Sequence, residues 1–194
     1  MLQPLPGKSA QYYMAKNFRS SDTKTPPDAK HAGVLLLLYP IADEWHVALI
    51  RRSFHEADPH SGQISFPGGK HEKEDQSLLH TALREANEET GIDTQAVEVL
   101  GPLTSLYIPV SNFEVHPFVA FSKTRPDFVP EVNEVDAILE VPVSFLLNPE
   151  NIQLIDLTIR GFAIKDIHCF KFEENIIWGA TAMMLYEFVE VARR

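Results

Sequence analysis

Apolar residues along the chain occur in short continuous runs and in one stripe with helical spacing. Runs at 32–39 and 45–50 have the length of buried strands, and the Pro-containing segment between them predicts a hairpin. Residues 76–90 carry an apolar stripe of helical period, and Gly91 stands where a helix C-cap is expected. A helix is therefore predicted after the first strands.

The rest of the chain is predicted to contain mostly strands and to end in a helix. The further predicted elements are a short helix at 9–16, a short strand at 61–66, strands at 96–107 and 114–121, a strand within 131–142, a short helix at 143–147, paired strands at 152–159 and 164–172, and a final helix that runs to Arg194. This order of strands and helices predicts an α/β sandwich with a mixed central sheet between helices.

The first 30 residues differ from the rest, because they lack a sustained period and contain a linker rich in Ser, Thr and Pro. They predict a partly ordered N-terminal arm, residues 1–30, ahead of a single domain at 31–194. Aromatic Tyr12, Tyr13 and Phe18 indicate that the arm packs either on the body or on a second subunit. A homodimer is therefore one of the open alternatives.

Three carboxylates lie close together on the long helix. Each helical residue advances by about 100°, so Glu85, Glu88 and Glu89 fall within one narrow sector. One interpretation is a solvated acidic face with ion pairs to nearby basic residues. The other is a metal site, in which hard oxygen ligands without Cys or His favour Mg²⁺ or Mn²⁺ over zinc.

Composition narrows the class of protein. The 194 residues, 44% of them hydrophobic, suit one domain with a sizeable core. The net charge of −10 argues against partners such as nucleic acid or an acidic membrane surface. No apolar run has the length of a membrane span, and the first residues lack the apolar stretch of a signal peptide. The single Cys169 excludes an internal disulfide and a multi-Cys zinc site, and predicts a reducing, cytoplasmic location.

Several stretches together carry a family resemblance. Gly69, followed after a loop by REANEETGI at 84–92, resembles the Nudix box, in which a Gly and a Glu precede an Arg-Glu-apolar-x-Glu-Glu-x-Gly-apolar segment. The first half differs, because Asp75 stands where the family has Glu and eight residues separate it from the Arg. This lengthened box, with HSG at 60–62 and WGATA at 178–182, resembles the coenzyme A pyrophosphatase branch of the family.

The resemblance implies the Nudix fold and the hydrolysis of a diphosphate with Mg²⁺ or Mn²⁺ as cofactor. It implies that Glu85 and Glu89 hold the principal ion and that the carbonyl of Gly69 completes the shell. On the same resemblance, we expect Glu88 to contribute to a second ion or to position the attacking water. We expect either Glu134 or Glu88 to accept the proton of that water.

Other residues near the Nudix-like box are candidates for binding the substrate or for supporting the site, and most of them also have a purely structural interpretation. Arg52, which the resemblance aligns with an Arg at the end of a strand, can bind a substrate phosphate bidentately, and Lys70 is a second cation for this purpose. His60 either contacts the ligand or makes a structural hydrogen bond. Arg84 either braces a carboxylate or forms a surface ion pair. Asp75 either caps the helix N-terminus or has the substrate-site role that the family gives to Glu at this position.

The expected substrate is a nucleoside-diphosphate-linked small molecule. Coenzyme A or an acyl derivative is the first choice, with adenosine 3′,5′-bisphosphate and 4′-phosphopantetheine as products. The loop at 53–59 weakens this choice, because Glu56 and Asp58 stand where relatives of the branch often carry basic residues. The alternatives are a dinucleotide, ADP-ribose or nucleotide-sugar pyrophosphatase and, from another class, a non-catalytic ligand sensor on the same fold.

Overall fold

The computed structural model describes residues 3–16, 23–55, 60–159 and 162–194, with the backbone alone at positions 159 and 162. The helices within these ranges are α1 (Lys8–Tyr13), α2 (Leu78–Thr90), α3 (Val143–Leu147) and α4 (Gly179–Ala192). The strands are β1 (Lys30–Ile41), β2 (Glu44–Arg52), β3 (Ile64–Ser65), β4 (Gly68–Lys70), β5 (Val97–Pro102), β6 (Leu106–Ile108), β7 (Phe113–Ser122), β8 (Val135–Pro142), β9 (Ile152–Ile159), β10 (Phe162–Phe172) and β11 (Asn175–Ile177).

The main sheet has eight strands and is mixed, as predicted. Its central path runs β3-β2-β1-β7-β5, with β4 also paired to β1, β6 to β7 and β8 to β2. β1 and β7 are parallel, whereas β1 is antiparallel to both β2 and β4. The predicted hairpin of β1 and β2 is confirmed, and β9 and β10 pair in a second, antiparallel sheet with β11.

The two faces of β1 face different helices, because successive side chains of a strand point to opposite sides. Leu35 and Leu37 pack with Ala82 of α2, whereas Leu36 belongs to the apolar cluster that includes Met183 of α4. This explains why 32–39 is continuously apolar instead of alternating. The sheet therefore lies between α2 and α4, which confirms the predicted α/β sandwich. In the described part of the chain, no helix is long and apolar enough to cross a membrane.

The expectation of one strand at 96–107 is wrong. The segment forms β5 and β6, and the β5 pairing with β7 shifts register between Val99 and Gly101. Between the two strands, the backbone N–H of Thr104 donates to the carboxylate of Glu187 at 3.2 Å instead of to a neighbouring strand. The ladder is interrupted because this donor is used by α4, which the local sequence does not indicate.

The long helix begins later than predicted, at Leu78. The Oγ of Ser77 accepts a hydrogen bond from the backbone N–H of His80 at 3.1 Å and caps the helix. The alternative that Asp75 is the N-cap is therefore wrong, and the carboxylate of Asp75 is bonded to Arg84 instead. At the other end, Gly91 has a φ of 71° and closes the helix as its predicted C-cap.

The N-terminal arm packs on the body of the protein through α1 and α4 over residues 3–16. Glu187 of α4 is 0% exposed and accepts hydrogen bonds from the backbone N–H of Gly7 at 3.1 Å and from Nε2 of Gln11 at 2.8 Å. The rings of Tyr13 and Tyr186 stack with centroids 4.6 Å apart. Phe18 lies outside the described residues. The division into an arm at 1–30 and a domain at 31–194 stays a prediction.

Replacing Glu187 with Leu is expected to lower the free energy of unfolding by about 3 kcal/mol, because Gly7 and Gln11 of the arm and Thr104 lose their buried acceptor. Urea unfolding followed by circular dichroism measures the change. Glu190→Leu is the matched control on the same helix, since the Glu190 side chain is 37% exposed and pairs only with Arg193 among the described residues. Equal losses in the two variants would contradict the structural role of Glu187.

Candidate active site

Helix α2 lies close against β1 and β4 because two glycines leave room for it. A Cβ at Gly33 of β1 would overlap the backbone of α2 at Leu78, so only Gly allows the helix to dock there. A Cβ at Gly69 of β4 would overlap the carboxylate of Glu85. Glu85 of α2 is therefore held directly over the backbone of β4 at Gly69.

Glu89 is the most buried carboxylate of the predicted cluster, with its side chain 2% exposed. Its Oε2 accepts a hydrogen bond from the backbone N–H of Gly68 at 2.8 Å, and its Oε1 lies 3.8 Å from a guanidinium nitrogen of Arg52. The pKa of Glu89 is raised to about 8, mainly by burial and also by the charges of Glu85 and Glu134, while the hydrogen bond from Gly68 and the charge of Arg52 oppose the shift. The protein alone thus stabilises this carboxylate poorly in its ionised form.

Glu85 lies beside Glu89 and is also partly buried, with its side chain 18% exposed. Burial raises its pKa, as do the charges of Glu88 and Glu134, while Arg84 at 2.9 Å opposes the shift. The two carboxylates have raised pKa values, Glu85 lies against Gly69, and the pair offers only oxygen donors. Such a set fits a divalent cation, which would stabilise both ionised forms.

Arg84 connects three carboxylates around the helix. Its Nε and Nη2 donate to the two oxygens of Asp75 at 2.9 and 3.0 Å, and its Nη1 donates to Glu88 at 2.8 Å. It also contacts Glu85 at 2.9 Å. This geometry corresponds to the bracing interpretation of Arg84 rather than to a single surface pair.

Asp75 is the buried end of this network, with its side chain 1% exposed. It accepts hydrogen bonds from Thr81 Oγ1 at 2.9 Å and from the backbone N–H of Glu72 at 3.0 Å, in addition to the bidentate bonds from Arg84. The bonds from Arg84 are the largest of the effects that hold its pKa well below the usual range of an Asp. Asp75 therefore remains ionised and fixes the guanidinium that positions Glu85 and Glu88.

The two candidates for the catalytic base differ in their surroundings. The Glu88 side chain is 55% exposed and is bonded to Arg84. Glu134 is exposed in the loop before β8, and its charge acts on both Glu85 and Glu89. Among the described residues, the carboxylate of Glu134 has no hydrogen-bond partner. The loop is tied to α2, because the backbone N–H of Glu131 donates to the carbonyl of Glu89 at 3.0 Å.

The predicted substrate-binding residues occupy different positions around the cluster. Arg52 ends β2 beside Glu89, and Lys70 ends β4 with its side chain exposed. His60 is bonded through Nδ1 to Gln63 at 3.0 Å. Glu56 and Asp58, which weaken the coenzyme A prediction, lie outside the described residues.

Two features of the structure were missed by the sequence analysis. One is the role of Asp75 as the partner of Arg84, nine positions along the chain. The other is a cluster of His31, Glu114 and His116, whose ligand atoms lie within 4.8 Å of one another. The Glu-x-His spacing at 114–116 was the available signal, since residues two apart on a strand share a face.

Comparisons with known proteins identify the family of the chain. Residues 29–157 match the NUDIX domain. The chain is 37% identical over 160 residues to the uncharacterized Nudix hydrolase NudL of Yersinia enterocolitica, covering 81% of this chain and 79% of that protein. It is 32% identical over 161 residues to NudL of Photorhabdus laumondii, covering 83% and 84%.

Solved structures show the same fold at low sequence identity. The Nudix hydrolase RenU of M. smegmatis superposes with a TM-score of 0.58 at 15% identity, covering 85% of this chain and 86% of RenU. An Ap4A hydrolase of C. elegans in a binary complex gives 0.56 at 13% identity, covering 84% and 98%. The chain belongs to the Nudix family, and it is a Nudix hydrolase.

Proposed function

We propose that this chain hydrolyses the diphosphate of a nucleoside-diphosphate-linked substrate with Mg²⁺ or Mn²⁺, and that coenzyme A or acyl-coenzyme A is the preferred substrate. The observation that carries the proposal is the pair Glu85 and Glu89, held against Gly68 and Gly69 of β4 with raised pKa values. A buried, closely spaced carboxylate pair is costly unless a cation neutralises it.

The residues of the site have separate parts in the proposed reaction. Glu85, Glu89 and the carbonyl of Gly69 hold the ion, which neutralises phosphate oxygens when bound. Arg52 lies 3.8 Å from Glu89 and is placed to bind a phosphate oxygen at the same site. The attacking water forms a bond to phosphorus, the anhydride P–O bond breaks, and a carboxylate takes the proton of the water.

Glu134 is favoured over Glu88 as that proton acceptor, because Arg84 already uses the Glu88 carboxylate. Glu134→Gln is expected to lower kcat by about 10²-fold or more with little change in KM, as for the loss of a general base. Glu88→Gln, the isosteric comparison, is expected to have the smaller effect on kcat. Steady-state kinetics over a pH series measures both, and the reverse ranking would assign the base to Glu88.

The choice of coenzyme A rests on the lengthened box and on an exposed cation. Its 3′-phosphate requires a positive partner. Arg51 is engaged by Asp136 at 2.7 Å and by Asn175 at 3.2 Å. Lys70 is exposed, and among the described residues its ammonium has no ion-pair partner. Lys70 is therefore the proposed contact for this phosphate.

A substrate panel tests the proposal. Coenzyme A, 3′-dephospho-coenzyme A, NADH and ADP-ribose are compared by kcat/KM with Mg²⁺. We expect coenzyme A to be the best substrate, and Lys70→Ala to reduce its advantage over the 3′-dephospho form by about tenfold, as for the loss of one charged contact. No preference for the coenzyme A forms would favour a dinucleotide, ADP-ribose or nucleotide-sugar substrate. If the protein hydrolysed none of these diphosphates, the proposed reaction would be wrong.

The remaining parts of the proposal concern the class of protein, its location in the cell and its oligomeric state. The carboxylates for the metal are all present, which supports catalysis over a non-catalytic sensor on the same fold. The free and buried Cys169 supports a reducing, cytoplasmic location. A homodimer is retained as part of the proposal, and light scattering at several concentrations tests it.

A further inference from the structure

A second group of metal-binding side chains lies at the start of β1 and β7, outside the carboxylate site. β1 and β7 are parallel neighbours, and His31 is directly opposite Glu114 in their register. His116 follows Glu114 by two residues and so shares its face of the sheet. Leu35 and Phe118, farther along the same faces, pack in the apolar cluster of α2. The three side chains therefore project on the α2 side of the sheet.

The spacing of their ligand atoms matches the coordination shell of a small transition-metal ion. His31 Nδ1 is 3.3 Å from His116 Nε2, and each of these nitrogens is 3.6 Å from Glu114 Oε2. The point equidistant from the three atoms lies about 2.0 Å from each, which is the usual Zn–N and Zn–O distance. An ion at or just above this point would contact all three ligands without any movement of the backbone.

The carboxylate of Glu114 is oriented by neighbours that do not belong to the triad. Its other oxygen, Oε1, accepts hydrogen bonds from Ser105 Oγ and from Thr25 Oγ1, both at 3.2 Å. These bonds leave Oε2 directed to the two imidazoles. Hydroxyl groups that hold a ligating carboxylate in this way commonly support metal sites.

We propose that His31, Glu114 and His116 bind a transition-metal ion of the zinc class, with a coordination position open to the cleft beside α2. Two imidazoles and one carboxylate suit Zn²⁺ or Co²⁺, whereas the all-oxygen site at Glu85 and Glu89 suits Mg²⁺. The chain thus has two metal sites of different selectivity.

The open position faces a cleft of about 360 Å³, lined by His31, His71, Gln76, Ser77, Leu78 and His116. His71 is bonded through Nδ1 to Thr81 Oγ1 at 2.9 Å. Within the described residues, its Nε2 has no hydrogen-bond partner. His71 lines the same cleft, where its Nε2 is available to bond a water on the ion.

Metal titration of the full-length protein tests the proposal. Metal-free protein in excess Mg²⁺ is titrated with Co²⁺, whose visible absorption reports imidazole ligands and low coordination number, and with Zn²⁺ by calorimetry. We expect one equivalent to bind in each case, and to bind equally in Glu89→Gln, where the carboxylate site is disabled. His116→Ala and Glu114→Gln are each expected to weaken Zn²⁺ binding by about 100-fold, as for the loss of a ligand.

His80→Gln is the matched control, because its side chain is 48% exposed and that of His31 is 49% exposed. Zn²⁺ affinity is expected to stay unchanged in this variant. Circular dichroism establishes that each variant is folded, and Glu114→Gln, which preserves shape, serves if His116→Ala does not fold. Unchanged affinity in the folded triad variants, or absence of a Co²⁺ spectrum in the parent protein, would mean that the two histidines only share a hydrogen bond.

Discussion

Replacing Glu89 with Gln is expected to lower kcat/KM for Mg²⁺-dependent diphosphate hydrolysis by about 10³-fold, since metal stabilisation of the transition state is worth several kcal/mol and each 1.4 kcal/mol is about tenfold. Gln keeps the size of Glu and can accept the hydrogen bond from Gly68. It removes the negative charge that the ion requires. The fold is therefore expected to be retained while the chemistry is lost.

Initial rates at several Mg²⁺ concentrations measure this effect and separate metal binding from turnover. Glu98→Gln is the control, because Glu98 is an exposed residue of β5 paired with Lys123 at 2.7 Å and lies outside the site. The control is expected to keep the activity of the parent protein. If Glu89→Gln hydrolysed the substrate at the parent rate, the ion would have to bind elsewhere.

The parts of the site that sequence could predict are those set by local geometry. Glu85, Glu88 and Glu89 lie on one helix, α2, as the helical period of the sequence predicted. The apolar runs of β1 and β2 likewise predicted buried strands, because burial on two faces requires continuous apolar sequence. Features that depend on local spacing and on burial can therefore be predicted from the pattern of residues along the chain.

The parts that could not be predicted depend on long-range pairing. Local sequence makes Asp75 a candidate helix cap, whereas in the structure Ser77 caps α2 and Asp75 binds Arg84. His31 and Glu114 are neighbours only because β1 and β7 pair in parallel with one particular register. Nothing local fixes that register, since a shift of one residue would turn the side chains to the other face.

The same long-range effect explains the interruption of the strand predicted at 96–107. The residues there have strand-forming composition, but the N–H of Thr104 is directed to Glu187, which lies 83 positions later. A buried carboxylate from another helix thus outcompetes ladder pairing. The strand propensity of a segment describes the structure that it favours in isolation. Tertiary contacts decide where the strand ends in the folded protein.

The stability of the metal-free protein is expected to fall as pH rises from about 4.5 to about 8, through the contribution of Glu89. The pKa of Glu89 is raised from 4.5 to about 8, so the folded state binds its proton more tightly than the unfolded state does across this range. The loss can reach about 4 kcal/mol, since one pKa unit corresponds to about 1.4 kcal/mol. Mg²⁺ favours the ionised form and is expected to remove most of the fall.

Urea unfolding of the parent protein and of Glu89→Gln, at about pH 5 and about pH 8, isolates this contribution because other titrating groups are common to both proteins. Asp75 does not oppose it in this window, since its pKa is lowered and its stabilising effect is lost only in stronger acid. In EDTA, the parent protein is expected to lose free energy of unfolding relative to Glu89→Gln as pH rises. Mg²⁺ is expected to restore the stability that the parent loses. A difference independent of pH would mean that Glu89 is ionised without metal, and the electrostatic reason for a cation at this site would be lost.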